Sequence, residues 1–135
     1  MTDAPFTHRL RVRYAEVDQQ QVVFNAHWLT YFDESCTRFI EHLGWGPDTW
    51  TRDFDVMLVK AVVEWQGPAR FDDWIDIAVA PTRLGTTSFD LRFTATVDGN
   101  PAAIATITYV SIVPGQHRPV EIPPAVRAVL EHRLT

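Results

Sequence analysis

Cysteine is nearly absent from this chain: Cys36 stands alone among 135 residues, so no intramolecular disulfide can form. A reducing, cytoplasmic setting is the expectation that follows. Long apolar runs are missing too, and none approaches the roughly 20 residues of a bilayer-spanning helix. The opening Met1-Thr2-Asp3-Ala4-Pro5 has neither the basic nor the apolar region of a signal peptide. Positive charge is scarce, with 12 Lys and Arg against 17 Asp and Glu and a formal net charge of -5. Nucleic acid is therefore excluded as a partner, because neutralising phosphates calls for a basic face. No Gly-rich loop joins a strand to a helix, which argues against a nucleotide-binding α/β fold. Internal repeats and low-complexity tracts are absent as well. His27 and His42 stand fifteen residues apart and share no ligand spacing with Cys36 or His117, so neither a metal nor a cofactor is expected.

What is present suits one globular domain spanning residues 1–135. Hydrophobic residues make up 46% and charged residues of mixed sign 21%, enough for a core and too apolar for a disordered tail. Residues 8–14 alternate, with Leu10, Val12 and Tyr14 on one face and Arg9, Arg11 and Arg13 on the other. Period two predicts a half-buried strand, with Tyr14 packing in the core. After the polar stretch Ala15 to Gln21 the period changes. Trp28, Leu29, Phe32, Cys36, Phe39, Ile40 and Leu43 form a stripe at helical spacing, which Ala26 and Tyr31 widen. Asn25 is the expected N-cap, Gly44 the C-terminal stop, and Gly46-Pro47 prevents continuation, giving a helix of about 18 residues.

Four strands are expected next. Asp55 to Trp65 ends at Gly67-Pro68, Trp74 to Leu84 ends at a turn on Gly85, and Ser88 to Val97 leads into the hairpin signal Asp98-Gly99-Asn100. Ala102 to Val113 returns, and Pro123-Pro124 opens a short final helix running through Leu134. One strand, one long helix, four strands and a tail helix make an α+β protein built on an antiparallel sheet.

The segment from Arg13 to Trp28 ends the first strand and enters the long helix, and it contains Asp18. A carboxylate there feels the positive end of the helix dipole, and the unpaired amides of a helix start can polarise a carbonyl oxygen. Acyl transfer is compatible with that pairing. Three motifs narrow it. Arg13-Tyr14-Ala15-Glu16-Val17-Asp18 is followed by Val22-Val23-Phe24, then Trp28 and Tyr31-Phe32-Asp33-Glu34. Gly67-Pro68-Ala69-Arg70-Phe71-Asp72-Asp73 and Arg83-Leu84-Gly85-Thr86-Thr87-Ser88 come after it in order. Together these resemble the 4-hydroxybenzoyl-CoA thioesterase family of hotdog proteins, over nearly the whole chain.

The resemblance implies a hotdog fold, about five antiparallel strands wrapped around one long helix. It implies a homodimer or homotetramer with active sites at the subunit interface and acyl-CoA as substrate. Asp18 would be the catalytic carboxylate, acting as nucleophile or as base for water, with backbone amides near Phe24 and Asn25 holding the thioester oxygen. Gly85, Thr86, Thr87 and Ser88 would lie near the pantetheine arm. Lys60, Arg70, Arg83 and Arg118 are candidates for the phosphates of coenzyme A, since guanidinium groups suit phosphate oxygens.

Two positions depart from the family pattern. Asn25 stands where many relatives carry a His that assists the carboxylate; Asn hydrogen-bonds but does not titrate. His27 lies roughly 200° farther round a helix and is no simple substitute. Gln21 replaces the turn's usual glycine, whose backbone freedom Gln shares less readily; alternatively its side chain contacts substrate or water. Read without the family, Asp18 is a loop acid or a capping residue, Tyr14 a core residue with a hydroxyl in reach of Asp18, and Glu16 either solvated or paired with an arginine. Cys36 is an inert buried thiol. Trp28, Phe32 and Trp65 are core residues or the wall of an acyl channel.

The expected activity is hydrolysis of an acyl-CoA to free acid and CoA. A hotdog dehydratase or hydratase, a non-catalytic acyl-CoA-binding module, and a thioesterase acting on acyl carrier protein are the alternatives. The chain's own negative charge disfavours the last, because carrier proteins are acidic.

Overall fold

The computed structural model describes residues 5–46 and 52–135. Pro47, expected to stop the helix, and the first four residues of the amino-terminal reading lie outside the described residues. Strand β1 spans Phe6–Arg11, helix α1 His27–Leu43, β2 Asp55–Trp65, β3 Trp74–Leu84, β4 Ser88–Val97, β5 Asn100–Ile112 and helix α2 Pro124–His132. The strands form one sheet in the order β1-β3-β4-β5-β2, every neighbouring pair antiparallel.

Alternation sends Ile75, Ile77 and Val79 of β3, Phe89, Leu91, Phe93 and Ala95 of β4, and Ala103, Ala105 and Ile107 of β5 to one face, all buried. Helix α1 lies on that face. Phe32 meets Phe93 with ring centroids 5.3 Å apart, and Phe39 meets Phe6 at 5.7 Å. Burying this many large side chains is the main stabilising term of the fold, at roughly 25 cal/mol per Å² removed from water. Among the described residues no helix is long and apolar enough to cross a membrane.

The β4–β5 turn follows its hairpin signal: Asp98 and Gly99 both take positive φ, +49° and +81°, the combination a type I′ turn demands. Gly67 has a different reason to be glycine. A Cβ there would stand 2.6 Å from the carbonyl oxygen of Pro101.

Several expectations need correcting. The first strand ends at Arg11, not at residue 14. Val12 exchanges backbone hydrogen bonds with Asp72 and Asp73, and the chain then turns through a short 3-10 helix, Tyr14–Glu16. Tyr14 is consequently 77% exposed instead of packed in the core. Helix α1 begins at His27 with Ala26 as its N-cap, and Asn25 makes no capping bond. The helix buries most of the expected stripe, Trp28, Phe32, Cys36, Phe39 and Ile40, together with Tyr31; Leu29 departs from it at 46% exposed, and Ser35 is buried as well. Gly44 ends the helix as expected, with φ +117° and its amide on the carbonyls of Glu41 and Ile40. The final helix stops at His132, short of Leu134.

Candidate active site

Asp18 sits at the head of a tight hairpin between β1 and α1. The Gln21 amide donates to the Asp18 carbonyl at 2.9 Å, and the Asp18 amide donates to the Val22 carbonyl at 3.0 Å. Gln21 itself is left-handed, with φ +65°. A four-residue turn followed by one left-handed residue is the bulged hairpin in which glycine is favoured at the last position. Gln21 therefore occupies a strained backbone position that a glycine would relax.

The Asp18 side chain is half-buried. Oδ1 accepts the Gln20 amide at 2.8 Å, the bond an aspartate at the first turn position makes. The other oxygen makes no hydrogen bond among the described residues. The carboxylate lines a hollow of about 580 Å³ with Tyr14, Val17, Gln19, Gln21, Arg70 and Phe71. The rings of Tyr14 and Phe71 meet edge to face, centroids 5.7 Å apart. Phe71, unnoticed as a candidate, is signalled only by standing beside Arg70 in the Pro-Ala-Arg-Phe turn. That turn reaches the hairpin through the Val23 amide, which donates to Ala69 at 2.8 Å, and a bridge between Val22 and Arg70.

Behind Asp18 stands Glu16, only 5% exposed. Its Oε1 accepts the Arg13 amide and the Tyr31 hydroxyl, both at 2.8 Å. Its Oε2 accepts Nε and Nη2 of Arg13 at 3.1 and 2.8 Å. Burial alone would raise this carboxyl, but the side-chain and backbone bonds from Arg13 and the bond from Tyr31 outweigh it and hold it below its ordinary value. The Tyr31 phenol is pushed up by burial and by the Glu16 carboxylate it donates to. Of the two readings of Glu16, the arginine pair is the one found, and a bond to α1 comes with it.

The amides expected to hold the substrate oxygen divide. That of Phe24 is already committed, donating to the Glu16 carbonyl at 3.0 Å. Those of Asn25 and Ala26 have no hydrogen-bond partner among the described residues. They directly precede the first turn of α1, where orphan donors and the helix dipole favour a developing negative charge. The Phe24 side chain is 48% exposed, its ring 6.1 Å from that of His27.

The remaining candidates fall elsewhere. Gly85, Thr86, Thr87 and Ser88 connect β3 to β4 at the Leu84 end, while the Asp18 hairpin adjoins the Trp74 end. The 11 residues of β3 separate the two by about 35 Å at strand rise. The carbonyls of Gly85 and Thr86 accept from Arg127 of α2, and that of Thr87 from the Ser111 amide. Arg83 is not free for phosphate as expected: it is paired with both oxygens of Asp90 at 3.1 Å and with the Ser88 hydroxyl at 2.9 Å. Lys60 is exposed on β2 and contributes to lowering the Asp90 carboxyl. Arg118 is exposed on the link to α2. Arg70 alone among the four cations lines the Asp18 hollow.

Cys36 is buried against the sheet, and burial pushes its thiol up to about 12. Among the described residues no group of His, Cys, Asp and Glu is placed to hold a metal ion.

A five-stranded antiparallel sheet wrapped round one long helix is the architecture of a known family. The chain belongs to the thioesterase-like superfamily, matching it over residues 12–130. An acyl-CoA thioesterase YbgC of Haemophilus influenzae is 24% identical over 136 residues, 98% of each chain. A thioesterase-superfamily structure from Jannaschia sp. CCS1 superposes with TM-score 0.91 at 22% identity, over 98% of this chain and 95% of that one. The Staphylococcus aureus protein SAV2348, solved in complex with CoA, superposes with TM-score 0.87 at 17% identity, over 98% and 85%. The fold of this superfamily member is the hotdog fold.

Proposed function

We propose that this thioesterase-superfamily member hydrolyses acyl-CoA thioesters, with residues 1–135 as one functional domain and Asp18 as its catalytic carboxylate. The observation that carries the reading is a partly exposed Asp18, one oxygen uncommitted, in the same loop that leads to the unpaired amides of Asn25 and Ala26. The thioester carbonyl oxygen binds those amides. Asp18 attacks the carbonyl carbon, or takes a proton from the water that does. Negative charge collects on the carbonyl oxygen at the helix start, where preorganised donors stabilise it. The C–S bond then breaks and CoA leaves as the thiolate. In the nucleophilic route the one water consumed enters afterwards, cleaving the mixed anhydride to release the free acid and regenerate Asp18.

The site is proposed to be shared between two copies. Strand β2 is a sheet edge carrying exposed Leu58, Val59, Val62 and Trp65. Such an edge invites pairing with another strand. Antiparallel pairing of two β2 strands about a two-fold axis sets the Asp55 end of one copy beside the Trp65 end of the other. The β3–β4 hairpin shares the Asp55 end, since Ser88 pairs with Val110 and Asp55 with Ile112. Gly85 to Ser88 of one copy thereby approaches Asp18 of the other, and Arg70 is the one of the four candidate cations that stands beside the proposed reaction centre.

The test is thiol release from acetyl-, hexanoyl-, palmitoyl- and benzoyl-CoA. At least one is hydrolysed, and Asp18→Asn lowers kcat by roughly 10²–10⁴-fold, the range for losing a general acid or base. Full activity in Asp18→Asn rejects the assignment. Sedimentation gives at least twice the 15.4 kDa chain mass; a monomer that hydrolyses acyl-CoA rejects the shared site.

A further inference from the structure

The proposed mechanism uses Asp18 and the amides of Asn25 and Ala26, and leaves the buried Glu16 without a part. We propose that Glu16 is the positioning residue of this site, clamping the Asp18 hairpin to the start of α1 through Tyr31. The inference rests on the function proposed above.

Each Glu16 oxygen takes two donors. Oε1 is held by the Arg13 amide and the Tyr31 hydroxyl, and Oε2 by two nitrogens of the Arg13 guanidinium. No lone pair is left facing the hollow, so Glu16 does not act on substrate itself. What the arrangement does is mechanical. The side chain reaches Tyr31, four residues beyond the first residue of α1 and about a turn and a half past the free amides. The Glu16 backbone carbonyl accepts the Phe24 amide at 3.0 Å, on the returning arm of the hairpin. One residue thus holds both arms: Asp18 lies two residues after it, and Asn25 directly follows the amide it binds. The separation between carboxylate and oxyanion donors is set there.

The clamp sits where its bonds are strong. The Tyr31 ring is buried, packed edge to face on Trp28 with centroids 5.6 Å apart, and Val12 and Val23 are buried in the same core. A buried charge is retained only when its hydrogen bonds are satisfied, and here all are. Arg13, by contrast, lies on the outside, its side chain 78% exposed. An ion pair with so exposed a partner adds little by itself. The Tyr31 hydroxyl is the contact that ties loop to helix. A displacement of about 1 Å between reacting groups can cost about 100-fold in rate.

The decisive variants are Tyr31→Phe, which removes one hydroxyl and keeps the ring, and Glu16→Gln. Thiol release from the acyl-CoA turned over best is measured with kcat and KM separated, and folded fraction is followed by circular dichroism at assay temperature. Tyr31→Phe is expected to lower kcat about 5-fold and Glu16→Gln 10-fold or more, with KM within 2-fold and the folded fraction unchanged. Hydrogen exchange supplies a readout free of turnover: the hydrogen-bonded amides within 17–26, those of Asp18, Gln21, Val23 and Phe24, exchange at least 10-fold faster in Tyr31→Phe, while β3, β4 and β5 stay protected. Unchanged exchange in 17–26 overturns the proposal, as does unchanged kcat in both variants or a kcat loss matched by lost folded protein. If the unaltered protein hydrolyses no acyl-CoA, the proposed function falls and the exchange result still decides the clamp.

Discussion

Gln21 donates its backbone amide to the Asp18 carbonyl at 2.9 Å while its own φ is +65°. The residue that closes the turn under the carboxylate is thus the one in a strained backbone region. A left-handed backbone costs a side-chain-bearing residue roughly 1–2 kcal/mol and glycine almost nothing. Gln21→Gly is therefore expected to raise stability by about 0.5–1 kcal/mol after allowing for glycine's freer unfolded chain, a Tm gain of roughly 2–4 °C. Kinetics on the same variant separate the two readings of Gln21. Unchanged kcat/KM means the side chain is passive; a fall despite the higher Tm means that it touches substrate or water.

Gly67 and Gly85 predict opposite sensitivities. A Cβ on Gly67 meets a backbone oxygen at 2.6 Å, whereas at Gly85 the closest atom is the end of the flexible Arg83 side chain, at 2.9 Å. Overpacking against backbone costs about 1–3 kcal/mol. Gly67→Ala should lose that much in urea unfolding, and Gly85→Ala less. Equal losses contradict the contact argument.

Acid should act through Glu16. Its folded-state carboxyl lies below the ordinary value of 4.5, so between those two values the unfolded chain binds the extra proton. Stability from this group is present above the ordinary value and is lost as pH falls through the folded one. Glu16→Gln is expected to flatten that part of the profile, measured as urea midpoint against pH. A variant that keeps the wild-type acid slope shows that other carboxylates set it.

The strands from Trp74 to Leu84 and from Ser88 to Val97 were legible to the residue, because strict alternation bounded by turn residues leaves little choice of register. The end of the first strand was not. Tyr14 continues the alternation, yet Glu16 folds back onto Arg13 and breaks the ladder, a local bond that periodicity does not register. Asn25 looks like a cap and places the start of α1 one residue early, while Ala26, which serves, has no polar side chain to announce it. At the candidate site the order of motifs pointed to Asp18 and to the Gly85 hairpin alike. It did not show that one strand length separates them within a single chain, since sequence order says little about which end of a sheet a turn occupies. Nor did any local pattern reveal that the Phe24 amide is spent on Glu16.

The seclusion of Cys36 has a practical side. With its thiol pushed up to about 12 by burial, hardly any thiolate exists at pH 8, and thiolate is the form that reacts. A native-state titration with a disulfide reagent at pH 8 should find less than a tenth of a thiol per chain within an hour, and one full thiol in denaturant. Prompt labelling of the folded protein contradicts that burial. The chain is then a ready blank for spectroscopic probes. A cysteine installed at exposed Gln19, on the rim of the Asp18 hollow, takes a fluorophore at one address without any background substitution, and the arrival of an acyl group becomes something that can be watched in real time.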